Sequence, residues 1–263
     1  MDDYIAYKRT SRQWNMGHFH FHEQYEVLLS LSENAKMFVT DRCYPLQNGS
    51  LILLPSAVLH RSVASAEQQY NRYVIRFSRQ YAESLSTNTT NLLRCFQRGR
   101  IHYQLTAEQT RRLSRFYDAC LEERTGFGSD LRHTMAFVNL LLAVDEITSA
   151  PAEPVAEALP HNAASEILSY IQSHLTEDLS LDALAARFFV SKSHLCRLFK
   201  DFTGFPPGEY IIKTRIMRAR MLLREGKSVQ EAGEAAGFKN YAHFIRTFRQ
   251  IVGMSPGKYR SQN

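Results

Sequence analysis

The sequence predicts an α+β protein of two domains, with strands in the first part of the chain and helices in the last. Short apolar runs separated by turn residues fill the first 80 positions, and helical periodicity fills the region after residue 162. A proline-rich segment lies between the two regions. A length of 263 residues also suits about two domains.

Composition excludes several classes of protein. With 44% hydrophobic and 22% charged residues, and only 12 glycines and 8 prolines, the chain is neither disordered nor fibrous. Its apolar runs are far shorter than the roughly 20 residues of a membrane-spanning helix. The acidic N-terminus lacks the apolar core of a secretory signal. The widely spaced cysteines indicate reduced thiols in a cytoplasmic protein and offer no zinc motif. They are Cys43, Cys95, Cys120 and Cys196.

The net charge of +6 lies entirely in the tail of the chain. Residues 1–160 carry 17 basic and 17 acidic side chains, whereas residues 161–263 carry 15 and 9. A basic tail behind a neutral front part suggests a module that meets a polyanion. The alternative is a basic surface that is merely exposed to solvent, which would give the same distribution of charge.

The first domain reads as a β-sandwich or small barrel over about residues 1–82. Apolar or alternating runs at 25–31, 36–40, 51–54 and 73–77 are separated by turn-forming stretches. The signal is weak between about residues 83 and 105.

Two helices follow these strands. The first begins at a capping box of Thr106 and Gln109 and runs to about residue 124. The second begins at Asp130, after two glycines, and runs to residue 147. This helical hairpin, residues 106–148, has more apolar surface than one small domain needs. It either packs on its own β-domain or forms a homodimer interface, and we favour the homodimer.

Three of the eight prolines lie in residues 149–161, which therefore read as a linker. We expect a first domain of residues 1–148 and an all-α domain of residues 162–263. Helices of this second domain start at four capping residues. These are Asn162, Ser180, Ser191 and Ser228.

The helical tail repeats itself at an offset of 49 residues. The first copy runs from His194 to Tyr210 and the second from His243 to Tyr259. Both contain a histidine, a basic residue and the pattern F-x-x-x-x-G-x-x-P-G-x-Y. Each copy reads as a short helix, a tight turn and a longer helix, which is the geometry of a helix-turn-helix.

In each copy, burial of one face leaves polar side chains on the other face of the second helix. An α-helix fits the major groove with its N-terminal side chains at the base edges, so we expect these residues to bind DNA. Arg197 and Arg246 suit guanine, and each contact provides about 1–3 kcal/mol of discrimination. The predicted DNA-binding residues are Lys192, Ser193, Cys196, Arg197 and Lys200 in the first copy and Asn240, Tyr241, Ala242, His243, Arg246 and Arg249 in the second.

A long helix predicted over about residues 206–225 joins the two copies. Its length is roughly 30 Å at 1.5 Å per residue. Successive major grooves on one face of DNA lie ~34 Å apart. Both recognition helices can therefore enter consecutive grooves.

Residues 164–263 resemble the AraC/XylS-type transcriptional regulators. The resemblance rests on a glycine–aromatic pair, the pattern F-x-x-x-x-G-x-S-P and a final Y-R: Gly237-Phe238, Phe248 through Gly253, Ser255-Pro256 and Tyr259-Arg260. It implies a transcription factor that binds promoter DNA, acts on RNA polymerase and responds to a small-molecule effector, often a sugar.

The pair Ala232-Gly233 departs from that family, which usually has a larger aliphatic residue followed by Ala. A glycine inside a helix costs about 1 kcal/mol relative to Ala. We therefore expect a looser first helix in the second copy. Ala185 and Gly233 are also small enough to let the helices of each motif cross closely.

Three histidines alternate along one strand of the front domain. His18, His20 and His22 point to one side of such a strand. The pattern resembles a cupin barrel, although two glycines of the family pattern are missing. Its motifs H-x-H-x-x-x-E and G-x5-P-x4-H are met by His20, His22, Glu26, Gly49, Pro55 and His60.

This histidine face has three interpretations. Three imidazoles and a carboxylate could bind a divalent transition metal ion, through His20, His22, Glu26 and His60. The same groups could instead hydrogen-bond an effector in a metal-free pocket, or form a structural cluster only. We favour the effector site, for a sugar or other metabolite. It would include three further side chains, Arg61, Tyr25 and Trp14.

We interpret the chain as a dimeric cytoplasmic transcription factor without catalytic residues. The main alternative is a metal-dependent cupin enzyme that carries a DNA-binding tail. In a third interpretation, the front domain serves dimerisation only.

Overall fold

The computed structural model describes residues 4–12, 14, 16, 19–20, 22–33, 35–40, 42–56, 58–64, 69–123, 125–150 and 163–261. The chain divides into two compact units, one built mainly from His20–Leu159 and the other mainly from Pro160–Asn263. The predicted linker lies almost wholly outside the described residues, and so does the predicted cap Asn162.

Two antiparallel sheets form the N-terminal unit. Its strands are β1 (Tyr4–Arg12), β2 (Tyr25–Ser30), β3 (Ala35–Val39), β4 (Arg42–Leu46), β5 (Ser50–Leu54), β6 (His60–Ala64), β7 (Gln69–Phe77) and β8 (His102–Gln104). The larger sheet has the order β1-β7-β2-β5-β8, and the smaller has the order β4-β3-β6. This arrangement confirms the α+β class and the two-sheet, barrel-like front part.

The larger sheet buries both of its faces. Leu28 and its neighbours on one face pack with residues of the smaller sheet, such as Met37. Val27 and Leu29 on the other face pack with the helices of this unit. Because side chains alternate along a strand, consecutive residues of the larger sheet pack in turn against the smaller sheet and against the helices.

Four helices cover the outer face of the larger sheet. They are α1 (Arg79–Ser84), α2 (Arg94–Gln97), α3 (Ala107–Cys120) and α4 (Ser129–Ser149). The predicted capping box of Thr106 and Gln109 is present. The predicted start of the next helix was wrong by two residues, because Gly128, in the left-handed conformation, is the N-cap and Asp130 lies in the first turn.

The C-terminal unit is helical throughout its described part. Its elements are α5 (Ala163–Ser173), α6 (Leu181–Arg187), α7 (Lys192–Thr203), α8 (Pro207–Arg224), α9 (Val229–Ala235), α10 (Tyr241–Val252) and α11 (Pro256–Ser261). The hydroxyls of the predicted caps Ser180, Ser191 and Ser228 each accept a backbone N–H bond. Across the described residues, no helix is both long enough and apolar enough to span a bilayer.

Candidate functional site

Helices α6 and α7 form the first helix-turn-helix. Leu195 and Phe199 on α7 are fully buried, which fixes the orientation of this helix on the domain core. The opposite side of α7 carries the predicted DNA-binding residues. Four of them are exposed and Cys196 is half-buried: Lys192, Ser193, Cys196, Arg197 and Lys200.

Helices α9 and α10 repeat this arrangement. Phe244 and Phe248 on α10 are fully buried, in a cluster that also contains Tyr259 of α11. The six residues predicted to bind DNA here are all exposed: Asn240, Tyr241, Ala242, His243, Arg246 and Arg249. Two surfaces of similar chemistry therefore project from the ends of the connecting helix α8.

Some of these side chains already have partners. The Asn240 side chain caps α10 by accepting the backbone N–H of His243 at 2.8 Å, so it is a structural residue as well as a surface one. Lys192 forms an ion pair with Asp182. Arg197 donates to the ring of His194 at 3.2 Å. His194 is exposed beside the predicted set, and its place in the sequence repeat is the signal that could have added it.

Several basic residues of α8 support the fold instead of facing solvent. Arg215 donates to the carbonyl oxygens of Leu175 and Glu177, at 2.9 and 3.0 Å. The guanidinium of Arg220 lies 5.0 Å from the ring centre of Tyr259. Arg218 is exposed. Total charge therefore overstates the basic surface available to DNA.

A cluster of histidines lies within the N-terminal unit. His20 pairs with His60 through two backbone hydrogen bonds of 2.9 Å, which place the segment before β2 alongside β6. The ring centres of His20 and His60 are 4.1 Å apart, and those of His22 and His60 are 5.1 Å apart. Nε2 of His22 lies 3.0 Å from Oε2 of Glu26. The predicted set of four residues is therefore brought together; His18 lies outside the described residues.

Burial controls the charge of this histidine cluster. Burial, followed by the neighbouring His60, lowers the pKa of His20 to about 4. Burial also lowers the pKa of His60, against the opposing effect of Glu26. For Glu26, burial alone raises the pKa, but the hydrogen bond with His22 and the nearby positive charges outweigh it and bring the pKa below its usual value. The cluster thus combines the neutral imidazoles of His20 and His60 with a carboxylate.

The three further candidates for the effector site do not all join the cluster. Tyr25 stacks on Phe77, on the helical side of the sheet, and lines a separate cleft of about 250 Å³. Tyr25 therefore faces away from Glu26, since adjacent strand residues face opposite ways. Arg61 directly follows His60 on β6 and therefore faces the opposite way. Its guanidinium stacks on the ring of Phe38.

The space between the two sheets holds the candidate Trp14 and several polar groups that the sequence analysis missed. Trp14 lies there and donates to Ser62 at 2.8 Å, and Arg72 stacks on its ring at 4.2 Å. The hydroxyl of Tyr70 and both ring nitrogens of His102 are buried without a hydrogen-bond partner among the described residues. Period-two alternation along β7 and β8 is the signal that could have found them.

Two family models match most of the chain. A model described as an AraC-like ligand binding domain matches residues 4–141, and one described as a helix-turn-helix domain matches residues 184–262. The probable transcription factor PqrA of Proteus vulgaris is 33% identical over 39% of this chain and 86% of its own length.

Other similarities are more distant. The transcriptional activator RhaS of Escherichia fergusonii is 29% identical over 52% of this chain and 50% of its own length. The chain spans half or less of several relatives that it matches, RhaS among them. The solved structure of ToxT from Vibrio cholerae aligns over 98% of both chains, with 14% identity and a TM-score of 0.39.

Proposed function

The chain belongs to the AraC family of transcriptional regulators, and on that premise we propose that its tail reads promoter DNA in two adjacent major grooves. One observation carries this proposal: α7 and α10 each bury one face and present a matching row of exposed polar and basic side chains. The connecting α8 has 18 residues. At 1.5 Å per residue it extends about 27 Å, comparable with the ~34 Å that separates successive grooves.

Single substitutions on the two rows test this role. Arg197→Ala and Arg246→Ala should each weaken binding to the promoter by about 1–3 kcal/mol and leave non-specific binding nearly unchanged. Arg218→Ala is the matched control: Arg218 is exposed on α8, and loss of a phosphate contact from it would lower both affinities alike. Fluorescence anisotropy on specific and scrambled duplexes measures the difference. Equal losses on both duplexes for Arg197→Ala and Arg246→Ala would exclude base recognition.

The N-terminal unit binds a small-molecule effector, a sugar or another metabolite, between its two sheets. The unpartnered hydroxyl of Tyr70 and ring nitrogens of His102 support this placement, because an unsatisfied buried polar group costs about 1–3 kcal/mol unless something bonds to it. The same unit contains the histidine cluster, which consists of His20, His22, Glu26 and His60. Arg61 and Tyr25 face away from this space and are not proposed as ligands.

The effector site has its own test. Thermal unfolding of the full chain with a panel of sugars and metabolites identifies compounds that bind the native state. Tyr70→Phe should leave the unliganded protein as stable as wild type, or more stable, and reduce the shift caused by the effector. Tyr117→Phe is the control, since the Tyr117 hydroxyl already donates to the carbonyl of Val27 at 2.8 Å. Loss of the Tyr117 hydroxyl should lower the stability of the protein without changing the shift in thermal unfolding that the effector causes.

Homodimerisation occurs through the helices of residues 106–148. On α4, three apolar side chains stand on one exposed stripe at helical spacing: Leu131, Met135 and Leu142. Phe127, in the preceding loop, is exposed as well. Exposed apolar patches of this kind mark interaction surfaces.

The family also supports RNA polymerase as a partner and the cytoplasm as the place of action, where bacterial promoters lie. The matched relatives are named as transcription factors, which supports a regulatory role in preference to an enzymatic one. Turnover of a substrate by the purified N-terminal unit would contradict that choice.

A further inference from the structure

The guanidinium of Arg72 is buried in the N-terminal unit without an acidic partner. The residue is only 3% exposed, although an arginine is almost never fully buried unless it is paired. Its Nη1 donates to Oγ of Ser11 at 3.4 Å and to the carbonyl oxygen of Tyr70 at 3.3 Å, and both hydrogen bonds are long. None of the described carboxylates forms an ion pair with it. The structure therefore buries a positive charge without a counter-charge.

Two aromatic rings pack on this guanidinium. Its central carbon lies 4.2 Å from the ring centre of Trp14 and 4.3 Å from that of Tyr70. Stacking occupies the face of the guanidinium plane and leaves its edge, which carries the N–H donors, available. Among the described residues, Nε and Nη2 of Arg72 donate to no acceptor. An edge of this kind pairs with a carboxylate through two parallel hydrogen bonds.

Arg72 lies on the face of β7 that points between the two sheets. Tyr70 and Val74, two positions away on either side, both pack in the cluster between the sheets. The hydroxyl of Tyr70 is buried and has no partner among the described residues, and the same holds for Nε of Arg76, on the same face. Because the guanidinium of Arg72 stacks on the Tyr70 ring, the Tyr70 hydroxyl is within reach of a ligand that pairs with Arg72.

Positive charge exceeds negative charge on this face of the larger sheet. Glu26 lies opposite Arg76 in the register of β2 and β7, so it shares the face with Arg72. Its carboxylate, however, is bonded to Nε2 of His22 at 3.0 Å. Arg9, opposite Arg72 on β1, adds a further positive charge, which is exposed. This balance favours an anionic ligand over a neutral one.

We propose that the effector is a small organic acid, whose carboxylate pairs with Nε and Nη2 of Arg72 and accepts a hydrogen bond from the hydroxyl of Tyr70. The inference rests on the proposed function, because it names the chemical class of the effector that binds between the two sheets. A phosphate group fits the same edge of the guanidinium, but its charge of about two costs more to remove from water. A neutral sugar leaves Arg72 unpaired.

The unliganded protein provides one test. Arg72→Met removes the buried charge and retains packing on Trp14 and Tyr70, because a thioether makes favourable contacts with aromatic rings. The midpoint of its thermal unfolding should equal that of wild type or exceed it. A guanidinium with a purely structural role gives the opposite result, since its stacking and its two hydrogen bonds are lost. A clear fall in the midpoint would overturn the proposal.

Matched pairs of compounds test the class of the ligand. Thermal unfolding of the full chain is measured with gluconate and gluconamide, lactate and lactamide, and benzoate and benzamide, and with glucose and glucose 6-phosphate. A ligand that binds only the native state raises the midpoint. We expect an acid to raise it and the amide of that acid, which has nearly the same shape without the charge, to leave it unchanged. The fluorescence of Trp14, which contacts Arg72, measures the affinity.

Three variants assign the effect to Arg72. Arg72→Met should weaken binding of the acid by roughly 30-fold or more, as expected for loss of one partner of a buried charge pair. Arg72→Lys retains the charge without the paired donors and should recover part of the affinity. Arg61→Met is the matched control, because it removes another guanidinium that stacks on an aromatic ring but faces away from the space. It should bind the acid as wild type does.

The outcomes separate this inference from the effector function itself. Stabilisation by glucose or glucose 6-phosphate but by no acid would overturn the inference and leave the effector function standing. Equal affinity of the acid for folded Arg72→Met and wild type would do the same. If no acid, amide, sugar or phosphate ester shifts the midpoint, the effector function fails and the inference fails with it.

Discussion

Gly233 of α9 lies so close to Phe244 of α10 that a Cβ at this glycine would stand 2.7 Å from Cδ1 of the ring. The Phe244 side chain is fully buried, so an added methyl group would press on atoms of the packed core. The glycine that departs from the family pattern therefore has a packing function. The close approach agrees with the expectation that a small residue at this position lets the two helices of the second motif cross closely.

Gly233→Ala should destabilise the tail by about 1–2 kcal/mol, since overpacking costs about 1–3 kcal/mol and exceeds the gain of about 1 kcal/mol in helix propensity. Urea unfolding of the full chain, followed by far-UV circular dichroism, measures the change. Gly208→Ala in α8 is the control, because no atom lies within 4 Å of the added Cβ. A second change, Phe244→Leu, should restore part of the loss. Stabilisation by Gly233→Ala alone would contradict the packing account.

Phe189 and Gly237 occupy equivalent turns of the two motifs, and both have a positive φ, of 53° and 99°. Phe189 is 95% exposed, so its ring contributes little packing that offsets the strained backbone. The left-handed conformation costs a side-chain-bearing residue about 1–2 kcal/mol.

Phe189→Gly should consequently stabilise the tail by about 0.5–1 kcal/mol, after allowance for the greater backbone freedom of glycine in the unfolded chain. Phe189→Ala retains the Cβ and should change stability little. Hydrogen exchange of tail peptides reports both variants. Equal stability of the Gly and Ala variants would show that the turn is unstrained.

The N-terminal unit should lose stability in acid partly through His102. Burial, with a smaller contribution from the charge of Arg100, lowers the pKa of His102 to about 4. The unfolded chain has the ordinary pKa near 6.5 and binds the proton first, so this contribution is fully present above about pH 6.5 and declines as the pH falls towards 4. The loss amounts to about 3 kcal/mol at most.

His102→Gln removes this titration, so between pH 7 and pH 4 the variant should lose less stability than wild type. Urea unfolding at each pH, followed by the fluorescence of Trp14, the single tryptophan, reports the N-terminal unit. His20 and His60 titrate in both proteins, and the difference between the two curves isolates His102. Parallel curves would contradict a neutral buried imidazole at this position.

If the exposed apolar stripe of α4 forms the dimer interface, acidic substitutions on it should dissociate the dimer. Leu131 and Met135 are 65% and 62% exposed and lie one turn apart. Leu131→Glu combined with Met135→Glu should produce a monomer in analytical ultracentrifugation at a concentration where wild type is dimeric. Met221→Glu, at an exposed helical position of the tail, is the control. A dimeric double variant would place the interface elsewhere.

The helical tail and the two rows of exposed polar side chains on α7 and α10 could be predicted because their signals repeat. Comparison of the two copies of the motif identifies the buried and the polar faces of α7 and α10 from the sequence alone. Other elements carried weak signals: β4 is an edge strand that contains Pro45, and β8 has three residues. The alternation of strand residues places Tyr25 and Glu26 on opposite faces of β2, and the candidate list for the effector site did not apply this alternation. The small size of Gly233 predicted a close helix crossing, but the ring that it contacts, Phe244, lies 11 positions away and could not be identified from local pattern.

The spacing of the DNA site tests the central claim most directly. Selection of bound duplexes from a random pool by the full chain should yield two boxes whose centres lie about one helical turn, ~10 bp, apart. Arg197→Ala should erase preference in one box and Arg246→Ala in the other. Inserting about 5 bp between the boxes turns them to opposite faces of the duplex, and affinity should fall to the non-specific level. A single box, or binding that is insensitive to the insertion, would contradict recognition by two helices in adjacent grooves.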